Sequence, residues 1–375
     1  MPNAIKYIKF LFKELLGDLV LDKEQDKLRL KPNHDGHEKE FEHFERLKIS
    51  GHGEILHDVK WFSFDLNLEP GSAEEVRHRT FVGFTGCKFQ TQDLENLAGA
   101  EIFEYGLHAG IFLRLVNDVG LKLRSDISRI HLEQDLASQH LDPLYEGHDF
   151  DEIKQYFEEV FLFEVNKNSI VRDLDEKLKA QYILSNNSSC VRLPFGDVGD
   201  GMRELFVEKS PLLFDNIFSA LTSTYWEHAF LELYRSIEAI YQIPRMIKLK
   251  VKLGDDFEGV PTLNLAKLCY EELGWRPFEK ESLKALLSIL PEDQLEQLIH
   301  LGLINEPEDV GSEKDRMKKI IEKGSTKIYE TRNKLVHKIY YYDEKDKDYG
   351  EWKSMLRFLV IFVSGIYSHY SDYLK

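Results

Sequence analysis

The 375-residue chain has few of the features that mark secreted and membrane proteins. It contains only three cysteines, Cys87, Cys190 and Cys269, which are odd in number and far apart. This excludes a disulfide framework and is typical of a reducing cytosol. The most apolar stretch, residues 356–367, is too short to span a bilayer and predicts a buried core helix. The first residues do not resemble a secretory signal, so we expect a cytoplasmic protein that makes no membrane contact.

The chain also has little positive charge, because its formal net charge is −17 at pH 7. Phosphate contacts need a basic surface, so this charge argues against nucleic acid as a general partner. Two segments are exceptions: residues 313–338 carry nine Lys/Arg against four acids, and residues 245–252 carry four bases and no acid. An acidic protein with such segments can bind RNA at one place and repel it elsewhere. The alternative is that both segments are solvated helix faces.

Recognisable metal and cofactor signatures are missing as well. The histidine-rich segment around His34, His37 and His43 matches no defined metal-ligand spacing and is rich in Glu and Lys. The glycines of residues 51–53 and 196–201 lack the strand–helix frame and the lysine of a phosphate-binding loop. We therefore expect neither a metal nor a cofactor.

A change of character near residues 185–201 indicates a domain boundary or a long connector, because Asn, Ser, Gly, Asp and Pro are dense there. Before it, runs with period-two alternation or many β-branched and aromatic residues predict strands. The strand candidates are residues 54–68, 79–90 and 111–116, and the helix candidates are residues 151–161 and 171–184. We predict that residues 1–195 form a mixed α+β domain with a mainly antiparallel sheet.

After the boundary the hydrophobic period becomes helical, and residues 202–375 are predicted to form an all-α bundle. The predicted helices are residues 211–241, 261–273, 280–290, 291–302, 313–339 and 351–374. Residues 246–253 are the one segment for which a short extended loop is also expected.

The segment that carries chemistry is Arg332-Asn333-Lys-Leu-Val-His337, in a helix expected to be N-capped by Ser325. Asn333 and His337 are four residues apart and so lie on one helix face, opposite an apolar stripe. That stripe consists of Ile328, Leu335 and Ile339. Arg332 lies at its edge, which suits a site that a second surface completes.

These residue types are suited to cleaving RNA without a metal. If the 2′-OH attacks the adjacent phosphorus, the reaction needs an acid or base that titrates near neutral pH, and histidine provides one. Arginine provides a permanent charge and a bidentate fork for the phosphoryl oxygens. Asparagine can orient the histidine or bond the phosphate.

The motif resembles that of HEPN ribonucleases, helical bundles with Arg, a polar residue, three variable residues and His. The aromatic-rich segment from Tyr225 to Tyr241 resembles the first helix of their ApeA-like, abortive-infection branch. The resemblance covers residues 202–375. It implies that two motifs meet across a homodimer, that Arg332, Asn333 and His337 are catalytic, and that the products carry 2′,3′-cyclic phosphate and 5′-OH ends.

The other candidate residues belong to the same predicted ribonuclease site. Glu238 lies among apolar residues of its helix, so it is expected either to pair with Arg332 or to face solvent. The bases expected to contact RNA are Lys334, Lys338, Arg245, Lys248, Lys250 and Lys252. For each motif residue taken alone, a structural or surface role remains the alternative, and for Arg332 this is a buried pair with Glu238.

From the resemblance we expect a cytoplasmic, metal-independent endoribonuclease that cuts RNA, with tRNA as a candidate, in bacterial anti-phage defence or toxin-type abortive infection. The N-terminal domain would be its sensor or regulator and would receive a trigger of unknown nature. One alternative is a non-catalytic HEPN module that binds RNA or a protein. A second is that the N-terminal domain is the enzyme and the bundle only dimerises.

Overall fold

The computed structural model describes residues 30–31, 47–67, 78–128, 130, 148–206, 211–253, 259–273, 278–308, 310–337 and 348–374. The chain divides into two compact units, Met1–Ser189 and Cys190–Lys375, and the division falls inside the turn-rich segment. Among the described residues, none of the helices has the length and apolarity needed to cross a membrane.

The N-terminal unit is built on an antiparallel five-stranded sheet with the strand order β2-β3-β4-β7-β5. The strands are β1 (Leu30–Lys31), β2 (Leu47–Leu56), β3 (Val59–Asn67), β4 (His78–Thr85), β5 (Ile102–Glu104), β6 (His148–Asp149) and β7 (Val160–Val165). β1 and β6 form a separate parallel pair.

Short helices accompany this sheet. They are α1 (Thr91–Gly99), α2 (Ala109–Arg114), α3 (Phe150–Lys154) and α4 (Glu176–Ser185), and a π-helix (Leu115–Val119) directly continues α2. Phe62, Phe64 and Phe81 of the sheet pack into one core with Ile111 and Phe112 of α2. The helix α4 packs against β2, β3 and β4 and so also supports the sheet. The predicted α+β class with an antiparallel sheet is confirmed.

Several of the strand and helix predictions in this unit are wrong in detail. The strand predicted at residues 79–90 ends at Thr85, and the helix predicted at residues 171–184 begins only at Glu176. Residues 54–68 are not one strand, because the chain reverses at His57 and Asp58 between β2 and β3. Asp58 adopts a positive φ of 64°, which aspartate tolerates better than most residues. Residues 151–161 are not one helix either, since α3 ends at Lys154 and β7 begins at Val160.

The predicted strand at residues 111–116 is also wrong, because this segment lies in α2 and the π-helix. Its buried residues Ile111, Phe112, Leu115 and Val116 have a spacing that also fits one helix face. A short apolar run cannot distinguish a buried strand from a buried helix by its period.

The C-terminal unit is helical, as predicted. Its helices are α5 (Asp197–Leu205), α6 (Pro211–Leu221), α7 (Trp226–Glu238), α8 (Ile243–Leu253), α9 (Thr262–Leu273), α10 (Glu279–Leu287), α11 (Glu292–His300), α12 (Glu313–Val336) and α13 (Tyr349–His369), followed by a 3₁₀ turn (Ser371–Tyr373). α7 packs against α6, α12 and α13, and α12 also packs against α10 and α11. The apolar stretch at residues 356–367 is mostly buried within α13, which confirms the predicted core helix.

Three details differ from prediction here. Residues 211–241 form two helices separated at residues 222–225, where the Thr222 hydroxyl bonds the Phe218 carbonyl and Ser223 makes the corresponding bond to Ser219. Such local bonds compete with helix propagation. Residues 246–253 are helical rather than extended, because Ile243 and Met246 bury one face of α8.

The third difference is that Ser325 is not an N-cap. It lies inside α12, and its hydroxyl donates to the Glu322 carbonyl at 2.9 Å. The helix runs on through Gly324, where a Cβ atom would lie 2.5 Å from Cδ1 of Leu298. Glycine therefore allows α11 to approach α12 closely instead of ending the helix.

Gly83 provides a test of the packing of the sheet. A Cβ atom at this position would lie 2.2 Å from the Phe62 ring, which is fully enclosed. We expect Gly83→Ala to destabilise the N-terminal unit by about 1–3 kcal/mol, the usual cost of overpacking. Hydrogen exchange at the β3 and β4 amides should become faster by the factor that this loss in the free energy of unfolding implies.

The matched control is Gly99→Ala, because no atom lies within 4 Å of the added methyl group there. Gly99 is the last residue of α1, so this change should leave exchange in the sheet unaltered. Equal exchange rates for the two variants would contradict the described packing of Phe62 against Gly83.

Candidate functional site

The motif residues lie at the C-terminal end of α12. The Ser312 hydroxyl caps the start of this helix by accepting from the Asp315 N–H at 3.2 Å. The helix then continues for 24 residues to Val336. His337 is the capping residue, and its N–H donates to the Asn333 carbonyl at 2.9 Å. The helix was predicted to continue to Ile339, but it ends at Val336, and residues 338 and 339 lie outside the described residues.

Arg332 joins α12 to two other helices of the bundle. Its Nη2 atom lies 3.2 Å from Oε1 of Glu238 at the end of α7. The same atom lies 3.5 Å from Oε1 of Glu279 at the start of α10. The exposed fractions of these side chains are 18% for Arg332, 32% for Glu238 and 37% for Glu279. The guanidinium is thus held between two partly buried carboxylates from separate helices.

The two carboxylates and the guanidinium change one another's pKa. Burial raises the pKa of the Glu238 carboxyl, and the Glu279 carboxylate adds to this, while Arg332 opposes both. Burial also works to lower the pKa of the Arg332 guanidinium, but the carboxylates of Glu279 and Glu238 outweigh it and the pKa is raised. Arg332 therefore stays charged, and Glu238 takes up a proton more readily than an exposed glutamate.

Two buried tyrosines, Tyr234 and Tyr241, lie close to the Arg332 guanidinium and its carboxylates. The Tyr241 hydroxyl donates to the Tyr234 hydroxyl at 2.7 Å. The Arg332 guanidinium carbon lies 5.9 Å from the centre of the Tyr234 ring, near the outer limit of a cation–π contact. Burial raises the pKa of both hydroxyls, so both stay protonated and act as neutral hydrogen-bonding groups.

Asn333 belongs to the cluster, whereas His337 does not. Nη1 of Arg332 donates to Oδ1 of Asn333 at 3.2 Å, and this bond orients the side-chain amide of Asn333. His337 is exposed one helical turn further along. In the part of the chain that the structure describes, no side-chain contact joins His337 to Arg332 or Glu238. The structure thus brings together Arg332, Asn333 and Glu238 and leaves the imidazole at the surface.

The sequence did not single out Glu279. It lies 53 residues before Arg332 and is an acid in the first turn of a helix, where acids are common for reasons of helix stability alone. Only the packing of α10 against α12 brings it to the guanidinium. No local signal in the sequence could have found it.

The basic segment of α8 divides into two faces. Arg245, Lys248 and Lys252 are three and four residues apart, so they lie on one side of the helix, away from the buried Met246. Lys250 lies on the other side, where its Nζ atom donates to the Val260 carbonyl at 2.9 Å. Three of the four predicted RNA-binding residues of this helix thus form a single stripe.

Several bases of α12 have hydrogen-bond or ion-pair partners within the protein. Arg316 forms ion pairs with Glu313 of the same helix, with Glu296 of α11 and with Glu306, which follows α11. The amino groups of Lys319 and Lys323 donate to backbone carbonyls. Lys334 is exposed beside Arg332, whereas Lys338 lies outside the described residues.

Metal chemistry has no evident site in the described ranges, because no three His, Cys, Asp or Glu residues there are grouped so as to hold an ion. The segment with His34, His37 and His43 lies outside these ranges.

Comparison with known proteins adds no relative to these observations. No protein-family model matches the chain, and neither a curated protein nor a solved structure matches it significantly. The site's function therefore has to be argued from its own geometry and chemistry.

The raised pKa of the Glu238 carboxyl predicts a pH-dependent effect of Glu238→Gln. Because the folded-state pKa exceeds the unfolded value of about 4.3, the folded chain binds more protons in the window between the two values. The contribution of Glu238 to stability is therefore fully present below that window and is lost as pH rises through it. Glutamine does not titrate, so wild type should lose stability relative to the variant as pH rises from about 4.

The measurement is the free energy of unfolding of both proteins at a series of pH values between about 4 and 7. The difference in the free energy of unfolding between the two proteins should change across the pH range between the unfolded-state and folded-state pKa of Glu238, and it should level off above that range. A difference that is constant, or that changes in the opposite direction, would show that burial does not dominate the titration of Glu238.

Proposed function

We propose that this protein is a metal-independent endoribonuclease whose catalytic residues are Arg332, Asn333 and His337. The observation that carries the proposal is the paired Arg332 and Asn333 side chains, 3.2 Å apart, with the exposed His337 one turn away on the same helix. A fixed cation, an oriented amide and a group that can transfer protons are the components that phosphate transesterification requires. Glu238 is the supporting residue that positions Arg332.

In the proposed reaction a base removes the proton of the RNA 2′-OH, and the oxygen attacks the adjacent phosphorus. The bond from phosphorus to the 5′-oxygen breaks, and that oxygen takes a proton from an acid. The products are a 2′,3′-cyclic phosphate and a 5′-OH. Arg332 stabilises the charge that builds on the phosphoryl oxygens, and Asn333 orients the phosphate or the imidazole.

A homodimer follows from this chemistry, because one imidazole cannot be the base and the acid in the same step. The chain carries one such motif, so a second copy would supply the other histidine, as the HEPN resemblance implies. The exposure of His337 at the end of α12 is compatible with such a shared site. The proposed assembly is therefore a dimer formed through the C-terminal unit.

The biological setting of the proposal rests on the HEPN resemblance alone. It places the enzyme in the bacterial cytoplasm, in anti-phage defence or toxin-type abortive infection, with tRNA among the candidate substrates. The N-terminal unit would be the sensor or regulator, because an uncontrolled ribonuclease is toxic to its own cell. The trigger that the N-terminal unit would receive is of unknown chemical nature.

One observation favours a non-catalytic alternative. The Arg332 guanidinium already contacts two carboxylates, as expected of a structural arginine that ties three helices together. In that case the bundle would be a module that binds RNA or a protein, and Arg332→Ala would weaken binding with no cleavage to lose.

Replacement of His337 distinguishes the two functions. If His337 transfers protons, His337→Ala should reduce RNA cleavage in the presence of EDTA by at least about 100-fold, the usual contribution of a general acid or base. The assay follows the appearance of cyclic-phosphate ends on a mixed tRNA substrate.

The matched control is His300→Ala, because His300 is likewise an exposed histidine at the end of a helix, α11. This control should cleave as well as wild type. Equal cleavage by the His337→Ala variant would contradict the catalytic assignment. Full cleavage by a chain that remains a monomer at micromolar concentration would contradict the shared site.

The stripe on α8 predicts a change in the salt dependence of RNA binding. If Arg245, Lys248 and Lys252 each neutralise a phosphate, replacing all three with glutamine should make the plot of log K against log salt shallower by about 2. The measurement uses single-stranded RNA and the catalytically inactive His337→Ala background.

The control for this series is Lys250→Gln. Its amino group is directed to the Val260 carbonyl, so its loss should leave the salt slope unchanged. If the triple variant retained the wild-type slope, α8 would not be part of the RNA-binding surface.

A further inference from the structure

The Nη2 atom of Arg332 is the nitrogen that a phosphate would need, and protein carboxylates already contact it. A guanidinium grips a phosphate through two parallel N–H groups, and the available pairs are Nη2 with Nη1 and Nη2 with Nε. Both pairs include Nη2, which contacts Oε1 of Glu238 and Oε1 of Glu279. One of these carboxylates therefore has to move before Arg332 can bind a phosphoryl group through two bonds.

Of the two carboxylates, that of Glu279 is held more weakly. It lies 3.5 Å from Nη2, beyond the usual length of an N–H···O hydrogen bond, whereas Glu238 lies 3.2 Å away. The Glu279 side chain is also the more exposed of the two. Glu238 follows the fully buried Ile237 at the end of α7, so its carboxylate has little access to water and depends more on the arginine.

The start of α10 offers the Glu279 carboxylate a second favourable environment. Glu279 is the first residue of this helix, and the preceding Phe278 is 79% exposed, so solvent reaches this end of α10. Phe278 occupies the capping position and has no side-chain acceptor for the first N–H groups of the helix. These groups and the helix dipole favour a carboxylate in the first turn. The carboxylate can therefore leave Arg332 at a small cost in free energy.

Movement of Glu279 would change both the hydrogen bonds and the charge of the site. It would release an N–H group of Nη2 for a phosphoryl oxygen. It would also leave Arg332 paired with Glu238 alone, so one positive charge would face one negative charge instead of two. The bond from Nη1 to Asn333 does not involve Glu279 and would remain. The exchange therefore opens the guanidinium to an anion and keeps its position.

We propose that Glu279 limits the affinity of this site for RNA by competing with the phosphate for Nη2 of Arg332. When RNA binds, the phosphate takes the place of the Glu279 carboxylate, which turns to solvent at the start of α10. Glu238 keeps its contact and continues to position the arginine. Glu279 acts through Arg332 and is a positioning residue. The inference rests on the proposed function, because it requires that Arg332 contact an RNA phosphate.

The test measures how tightly full-length Glu279→Gln binds a short fluorescein-labelled single-stranded RNA, by fluorescence anisotropy at constant salt in the His337→Ala background. The competing charge is removed, so the variant should bind about two- to fivefold more tightly, the factor that corresponds to one partly exposed ion pair. With His337 intact, KM should fall by the same factor and kcat should keep its value, because the groups that act on the phosphate remain. Glu279→Ala should change affinity in the same direction.

The matched control is Glu281→Gln, which removes the same charge from the same turn of α10. Glu281 is 60% exposed and lies 3.7 Å from Lys284, which also contacts Glu322 and so keeps a partner in this variant. The control corrects for the general effect of a less negative protein on RNA binding. The gain in affinity of Glu279→Gln is therefore measured relative to Glu281→Gln.

The direction of the change separates competition from a structural role. If Glu279 only tied α10 to α12, its loss would weaken RNA binding or leave it unchanged. Affinity of Glu279→Gln equal to or below that of the control, in a protein that binds RNA, would therefore overturn this inference and leave the proposed function standing. If neither the parent protein nor Glu279→Gln bound RNA up to about 100 μM, the weak end of non-specific nucleic-acid affinities, the proposed function would fail and this inference with it.

Discussion

The end of α12 is held in place by the Arg332 guanidinium, which lies where three helices of the C-terminal unit meet. α12 provides the arginine, α7 provides Glu238 and α10 provides Glu279. Such a partly buried cluster adds less to net stability than its number of contacts suggests, because each charge loses solvation. Loss of the arginine is costly all the same, since it leaves two carboxylates facing each other. The cluster therefore fixes the end of α12, where Asn333 and His337 lie, in one position.

The class of the fold could be predicted because it depends on local periodicity, and its finer boundaries could not. The sheet, the helical C-terminal unit and the buried residues 356–367 follow from hydrophobic spacing. The hairpin at His57 and Asp58 was missed because it has no Gly or Pro to mark the turn. Residues 111–116 were misassigned because a short apolar run suits either a buried strand or a buried helix.

The site was predictable only in part. The pairing of Glu238 with Arg332 followed from the cost of leaving a carboxylate among apolar residues, although a solvent-facing glutamate was an equal alternative. Glu279 was not predictable, since it reaches the site through tertiary packing between distant segments. The positions of Lys250 and Lys248 on different sides of α8 were also hidden, because a count of charges in a segment does not reveal helix faces.

Under the proposed function, the same cluster sets a condition on substrate binding. Two ionised carboxylates around one guanidinium leave an excess of one negative charge, which repels a phosphate. The raised pKa of the Glu238 carboxyl reduces this repulsion, because a proton taken up there brings the cluster back to neutrality. A phosphate beside Arg332 would raise that pKa further, since a nearby anion favours the neutral acid. Binding of RNA and protonation of Glu238 are therefore thermodynamically linked, and each favours the other.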